Sequence, residues 1–201
     1  MNSRWFAAAA LVMLAPLTAL AADAPPAQMS AAQQAMMEKM AKAATPGPQH
    51  AMLKALEGTW TATIKSQMDP AAPMQTETGT SVVTTLMDGR YSQEQVSSTM
   101  MGAPFSGMGI TGYDNVIGKF VSIWIDNMGT GVMRSEGTAD ASGKVITWSA
   151  TMSDPVTGKP TRERMVTTIM DNDHHTLEMY GTPPGGKKEM KMMTIEYARK
   201  M

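Results

Sequence analysis

The chain has no cysteine. Disulfides, thiol nucleophiles, cysteine-ligated zinc and iron–sulfur clusters are therefore excluded. Histidine is scarce as well, with His50, His174 and His175 the whole set. Neighbouring residues of a strand face opposite ways, so His174 and His175 cannot share one ion. No His-x-His or His-x3-His spacing occurs, and a hydrolytic zinc site is not expected. A nucleophile elbow is missing too. Neither sign of charge dominates: 17 Lys and Arg face 18 Asp and Glu. A net charge of −1 leaves nucleic-acid binding without its electrostatic basis. After residue 21 leucine is reduced to Leu53, Leu56, Leu86 and Leu177.

Methionine stands in its place, with 23 in 201 residues. The length suits one domain with a tail. A composition 43% apolar and 17% charged can bury a core.

The first residues read as an address. Arg4 precedes an apolar run from Trp5 to Leu20, and Ala19-Leu20-Ala21 supplies the small-x-small pattern of a signal peptidase site. Residues 1–21 are expected to be a signal peptide, leaving a periplasmic or secreted chain that starts at Ala22. The run is short for a membrane span, so no span is expected in the mature protein. No cysteine follows to carry a lipid. Residues 22–47 form an Ala- and Met-rich arm and linker, and residues 48–201 the main domain.

Within the arm, Ser30 and Gln33 make a capping box that opens a helix to Ala44. Met29, Met36 and Met40 lie near one stripe, with Met37 beside it. Pro46 stops the helix. A short second helix starts at Pro48, stops by Gly58 and turns Met52, Leu53 and Leu56 inward.

From Gly58 the period becomes two. Ten strands are expected, at 59–67, 76–87, 90–98, 105–113, 119–126, 131–139, 144–153, 161–170, 174–180 and 189–199. Turn residues separate them, among them Asp88-Gly89, Asp114-Asn115, Ser142-Gly143 and Pro183 to Gly186. Links this short make a meander. Ten strands in a meander leave bare edges unless the sheet closes, so the expected fold is an all-β, ten-stranded antiparallel up-and-down barrel with a helical arm.

Gly58-Thr59-Trp60 opens the first strand and Arg199 ends the last. Closure makes these strands neighbours, so Arg199 can stack on Trp60 and seal the base. That arrangement resembles the lipocalin and fatty-acid-binding (calycin) superfamily. A second resemblance covers residues 53–200. Gly112-Tyr113-Asp114, Lys119 to Asp126, Ser135-Glu136-Gly137-Thr138, Asp154-Pro155, Leu177 to Tyr180 and Ile195 to Lys200 are similar to the bacterial family called domain of unknown function 1579. The resemblance implies a single-domain β protein and brings no catalytic residue or cofactor.

Gly107-x-Gly109-x-x-Gly112 fits a dinucleotide pattern, but a strand follows it instead of a helix. Relief of crowding explains these glycines better. Asp114 and Asp126 end strands and read first as turn residues, so catalysis is not expected.

Methionine admits three readings: core filler in place of leucine, soft ligand for Cu(I) or Ag(I), and oxidant target. With Trp60 inward, alternation turns His175, Leu177, Met179, Met165, Ile169, Lys191, Met193, Ile195 and Tyr197 inward. It turns His174, Met170, Met190 and Met192 outward. The expected function is a non-enzymatic barrel holding a small apolar or amphipathic ligand, without a cofactor. The expected ligand-contacting residues are Tyr113, Trp124, Asp126, Met165, Met179, Met193 and Tyr197, with Lys191 and Glu163 for a polar head group. The alternative is a Met-rich copper or silver protein with a surface site at His174, Met190 and Met192. A third class is an interaction module that docks a partner through the helical Met stripe.

Overall fold

The computed structural model describes residues 29–67, 69–155, 157–183 and 186–201. The expected signal peptide lies outside the described residues. Among those described, no helix is long and apolar enough to cross a membrane.

Among the described residues two helices precede ten strands. The helices are α1 (Ala31–Ala44) and α2 (Pro48–Ala55). The strands are β1 (Gly58–Ser66), β2 (Gln75–Leu86), β3 (Tyr91–Met100), β4 (Ala103–Asp114), β5 (Lys119–Asp126), β6 (Met133–Ala139), β7 (Val145–Ser153), β8 (Pro160–Ile169), β9 (His174–Gly181) and β10 (Met190–Arg199). Each strand pairs antiparallel with the next, and β1 pairs with β10, so the sheet closes into a barrel. The expected meander and its closure are both present. Boundaries differ from the sequence reading by one to two residues at most ends, where turn residues join the ladder.

Local chemistry sets the helices. The Ser30 side chain accepts from the Gln33 backbone N–H at 3.2 Å, and the Gln33 side chain returns the bond to Ser30 N–H at 2.8 Å. No residue of α1 is buried. Met29, Met36, Met37 and Met40 are 48%, 62%, 55% and 61% exposed, so they fill no core. What holds α1 is its C-terminal end. Asn115 Nδ2, in the β4–β5 turn, donates to the carbonyls of Lys42, Ala43 and Thr45 at 3.4, 3.1 and 2.8 Å. α2 differs in that it packs: Leu53 is buried, and Met52 and Leu56 lie against the core clusters. His50 Nδ1 accepts the Gly47 N–H at 3.0 Å and caps this helix.

α2 closes one end of the barrel. Trp60 is fully buried, and its indole N–H donates to Leu56 O at 2.9 Å. The Arg199 guanidinium stacks 4.1 Å from the Trp60 ring. It donates to the carbonyls of Glu57, Ala55 and Asn172 at 2.7, 3.0 and 2.8 Å, and Nε lies 3.2 Å from Asp173 Oδ1. The expected seal is therefore present, with the 55–60 segment and the β8–β9 turn gathered on the one cation of β10. Gly58 must be glycine there: its φ is +139°, and a Cβ would stand 2.5 Å from Arg199 Nη1.

One feature of β10 departs from simple alternation. Lys191 pairs with Tyr180, yet Met193 pairs with Met179, so Met192 is an extra, bulged residue. The bulge reverses the faces on its two sides. Lys191, expected inside, lies outside, where its ammonium meets Glu178 at 2.9 Å. Met190, expected outside, pairs with Gly181 on the inner face.

Candidate functional site

The barrel interior holds the residues in question. Phe120, Ile146, Trp148, Ala150, Met165 and Leu53 form one packed cluster. Trp60, Ala62, Val83 and Tyr197 form a second. Other inward residues are only half-buried although they point toward the axis: Glu94, Trp124, Leu177, Met179, Met193 and Ile195. The lumen of the barrel is thus lined in part by side chains that keep some of their surface open to solvent.

The lumen has a polar floor. Glu94 on β3 accepts the Ser81 hydroxyl at 2.7 Å, and the Tyr197 phenol also reaches its carboxylate. Burial pushes the Glu94 carboxyl up, against the opposing pull of those two donors. Tyr197 is likewise raised, first by burial and then by the neighbouring Glu94 charge. His175 stacks on Tyr197 with ring centroids 4.2 Å apart, and stands edge-on to Trp60 at 4.5 Å. It is 7% exposed and its Nδ1 has no partner. Burial, and secondarily the Arg199 charge, lower its pKa to about 4, so the imidazole is neutral near pH 7.

The wall beside Glu94 is built around Trp124. Glu94 pairs with Gly109, and Gly109 pairs with Trp124. A Cβ at Gly109 would come within 3.0 Å of the indole, and one at Gly107 would stand inside it. The ring therefore lies along the wall over both glycines. Crowding does explain the Gly107-x-Gly109 pattern, and the crowding group is Trp124. The indole N–H donates to Asp126 Oδ2 at 2.9 Å, while Asp126 Oδ1 accepts Met128 N–H at 3.0 Å.

The expected contact residues divide into three places. Trp124 and Asp126 stand in the half of the lumen far from α2. Met165, Met179 and Met193 are successive register partners on β8, β9 and β10, a cross-strand row of three thioethers. Tyr197 belongs to the floor. Tyr113 lies lower still, against Phe120 and His50 at 4.9 and 5.9 Å. It borders a basal cleft of about 470 Å³ shared with Met52 and Ser142. Glu163 faces the lumen beside Gly181 and Met192, and burial raises its pKa.

The surface trio does not assemble. His174 pairs with Ala198 at the base, whereas Met190 pairs with Gly181 at the far end of β9. Seven residues of strand separate them, roughly 23 Å. An antiparallel hairpin brings together only residues equally far from its turn, and His174 is not. His174 Nδ1 instead meets Asp171 at 2.9 Å. Met192 Sδ lies near Gly181, 2.8 Å from where a Cβ would be. Among the described residues no group of three His, Asp or Glu side chains could hold a metal.

Glu94 is the residue that the sequence reading missed. On β3 Ser92, Glu94, Val96 and Ser98 are inside and Tyr91, Gln93 and Gln95 outside. Val96 alone marks the inner face, and Tyr91 on the other face competes with it.

The family model described as "Protein of unknown function (DUF1579)" matches residues 45–199. No curated protein matches. Among solved structures, the crystal structure of Rv2717c from M. tuberculosis matches with a TM-score of 0.60 at 15% identity, covering 78% of this chain and 100% of that one. At that identity the likeness concerns the fold.

Proposed function

The chain belongs to the DUF1579 family, and from that premise we propose that it is an exported, non-enzymatic barrel that holds a small amphipathic molecule in its lumen. The observation that carries this reading is the lumen itself: half-buried apolar side chains above a polar floor of Ser81, Glu94, Tyr197 and His175. Ligand sites pair apolar walls with placed polar groups, and this interior has an apolar side on β9 and β10 and a polar side on β2–β4. The unpartnered His175 Nδ1 is a buried acceptor or donor that a ligand can satisfy. Export is supported by the Arg4, apolar run and Ala19-Leu20-Ala21 pattern.

A second reading, capture of Cu(I) or Ag(I), is favoured by the row Met165, Met179 and Met193. Register partners stand about 5 Å apart at Cβ, within reach of one soft ion. Native mass spectrometry of the exported chain tests both readings. The expected mass begins at Ala22 and gains one decanol molecule when decanol is added. A mass beginning at Met1 overturns export, and failure to take up decanol overturns the ligand reading. Stoichiometric copper on the purified chain favours the second.

A further inference from the structure

Away from its closed base, the barrel turns acidic side chains and no basic one inward among the described strand residues. The register turns the carboxylates of Glu77, Glu94, Asp126 and Glu163 inward. Among the described strand residues the inward cation is Arg199, which is consumed at the closed base by three carbonyls and Asp173. The other strand cations lie on the outer face; Lys65, Lys119, Arg164 and Lys191 are there ion-paired with Glu196, Glu136, Glu189 and Glu178. A carboxylate- or sulfate-headed ligand would enter against these carboxyl groups with no lumen cation to meet it.

We propose that the lumen selects amphipathic cations, alkylammonium compounds whose nitrogen sits over the Trp124 indole between Glu94 and Asp126. This deepens, and rests on, the reading of the lumen as an amphiphile site. Glu94 and Trp124 both pair with Gly109, so no side chain stands between the carboxylate and the ring. The indole lies along the wall over Gly107 and Gly109, leaving its other side to the lumen. Its N–H is held by the Asp126 carboxylate at 2.9 Å, which makes the π face more electron-rich. A tryptophan face flanked by carboxylates is the arrangement that recognises an ammonium group.

On the opposite wall Tyr197, stacked on the buried His175, reaches Glu94 and fixes the carboxylate that meets the ammonium. The alkyl chain then lies among Met165, Met179, Met193 and Ile195, where flexible thioethers adapt to a chain of variable length.

The test is a calorimetric titration of the exported chain at pH 7 with three ligands that share one tail: decylammonium, decanoate and decanol. Decylammonium is expected to bind about tenfold tighter than decanol, and decanoate more weakly than either. Glu94→Gln is expected to bring decylammonium to within about threefold of decanol, both measured on the variant. Trp124→Leu, read the same way, serves if Glu94→Gln does not fold. Equal or tighter binding of decanoate overturns the cation preference and leaves the amphiphile reading standing. Failure of all three ligands to bind overturns the amphiphile reading itself.

Discussion

His175 shows how a single side chain takes its chemistry from its surroundings. An imidazole between Trp60 and Tyr197 loses its hydration, and burial holds its pKa at about 4 against 6.5 in the open chain. Above pH 6.5 neither state binds the proton and the shift contributes nothing. Between pH 6.5 and about 4 the unfolded chain takes the proton and the folded chain does not, so stability falls as pH falls. The full span is worth on the order of 3 kcal/mol. Glu94 acts in the opposite sense: its raised pKa makes the folded state bind a proton first, which adds stability on acidification. Comparing variants separates the two. His175→Phe keeps an aromatic stack and removes the titration, so its urea-unfolding free energy should fall less steeply between pH 6.5 and 4 than that of the wild type. Equal slopes would show that His175 is not the acid-labile group. Trp60 and Arg199 were readable as a pair from the G-x-W start and the terminal basic residue. Glu94 was not, because Val96 alone marks the inner face of β3 and Tyr91 stands on the other.

At the scale of elements, α1 and β10 show opposite relations between pattern and structure. The capping box of α1 is entirely local, and it is where the sequence puts it. Nothing local says what anchors the helix, which is chiefly Asn115, seventy or more positions away, with a longer bond from Arg90 to the Ala44 carbonyl. A 14-residue helix with no buried side chain is marginal by itself. Asn115→Ala should therefore collapse amide-exchange protection in residues 31–44 while barrel amides keep theirs, with global stability changed by less than about 1 kcal/mol. Protection retained in α1 would mean that another contact holds it. In β10 the run Met190-Lys191-Met192-Met193 has no alternation to fix its phase, and one bulged residue exchanged the faces of Lys191 and Met190. The three-thioether row across β8–β10 depends on the same register.

For the whole molecule, closure is the decisive event. The β1–β10 ladder runs from Trp60↔Arg199 to Ser66↔Met193 and leaves neither strand with a bare edge. Trp60 is fully buried at the junction of α2, β1 and β10. Trp60→Ala should cost roughly 3–5 kcal/mol in denaturant unfolding. A cost below about 1 kcal/mol would mean that the base is held without the indole.

Composition excluded thiol and cysteine–metal chemistry. Period-two patterning and turn residues specified ten strands, and the short links specified a meander. These are local properties, set by backbone dihedrals and by each residue's nearest neighbours in the chain. The tertiary structure decided which polar residues share the lumen. Glu94, Trp124 and Asp126 meet through the glycines of β4. His175 and Tyr197 meet through the register of β9 with β10, and Trp60 joins them when β10 closes on β1. Cross-strand register depends on loop lengths, bulges and barrel shear acting together, and no window of sequence contains all three.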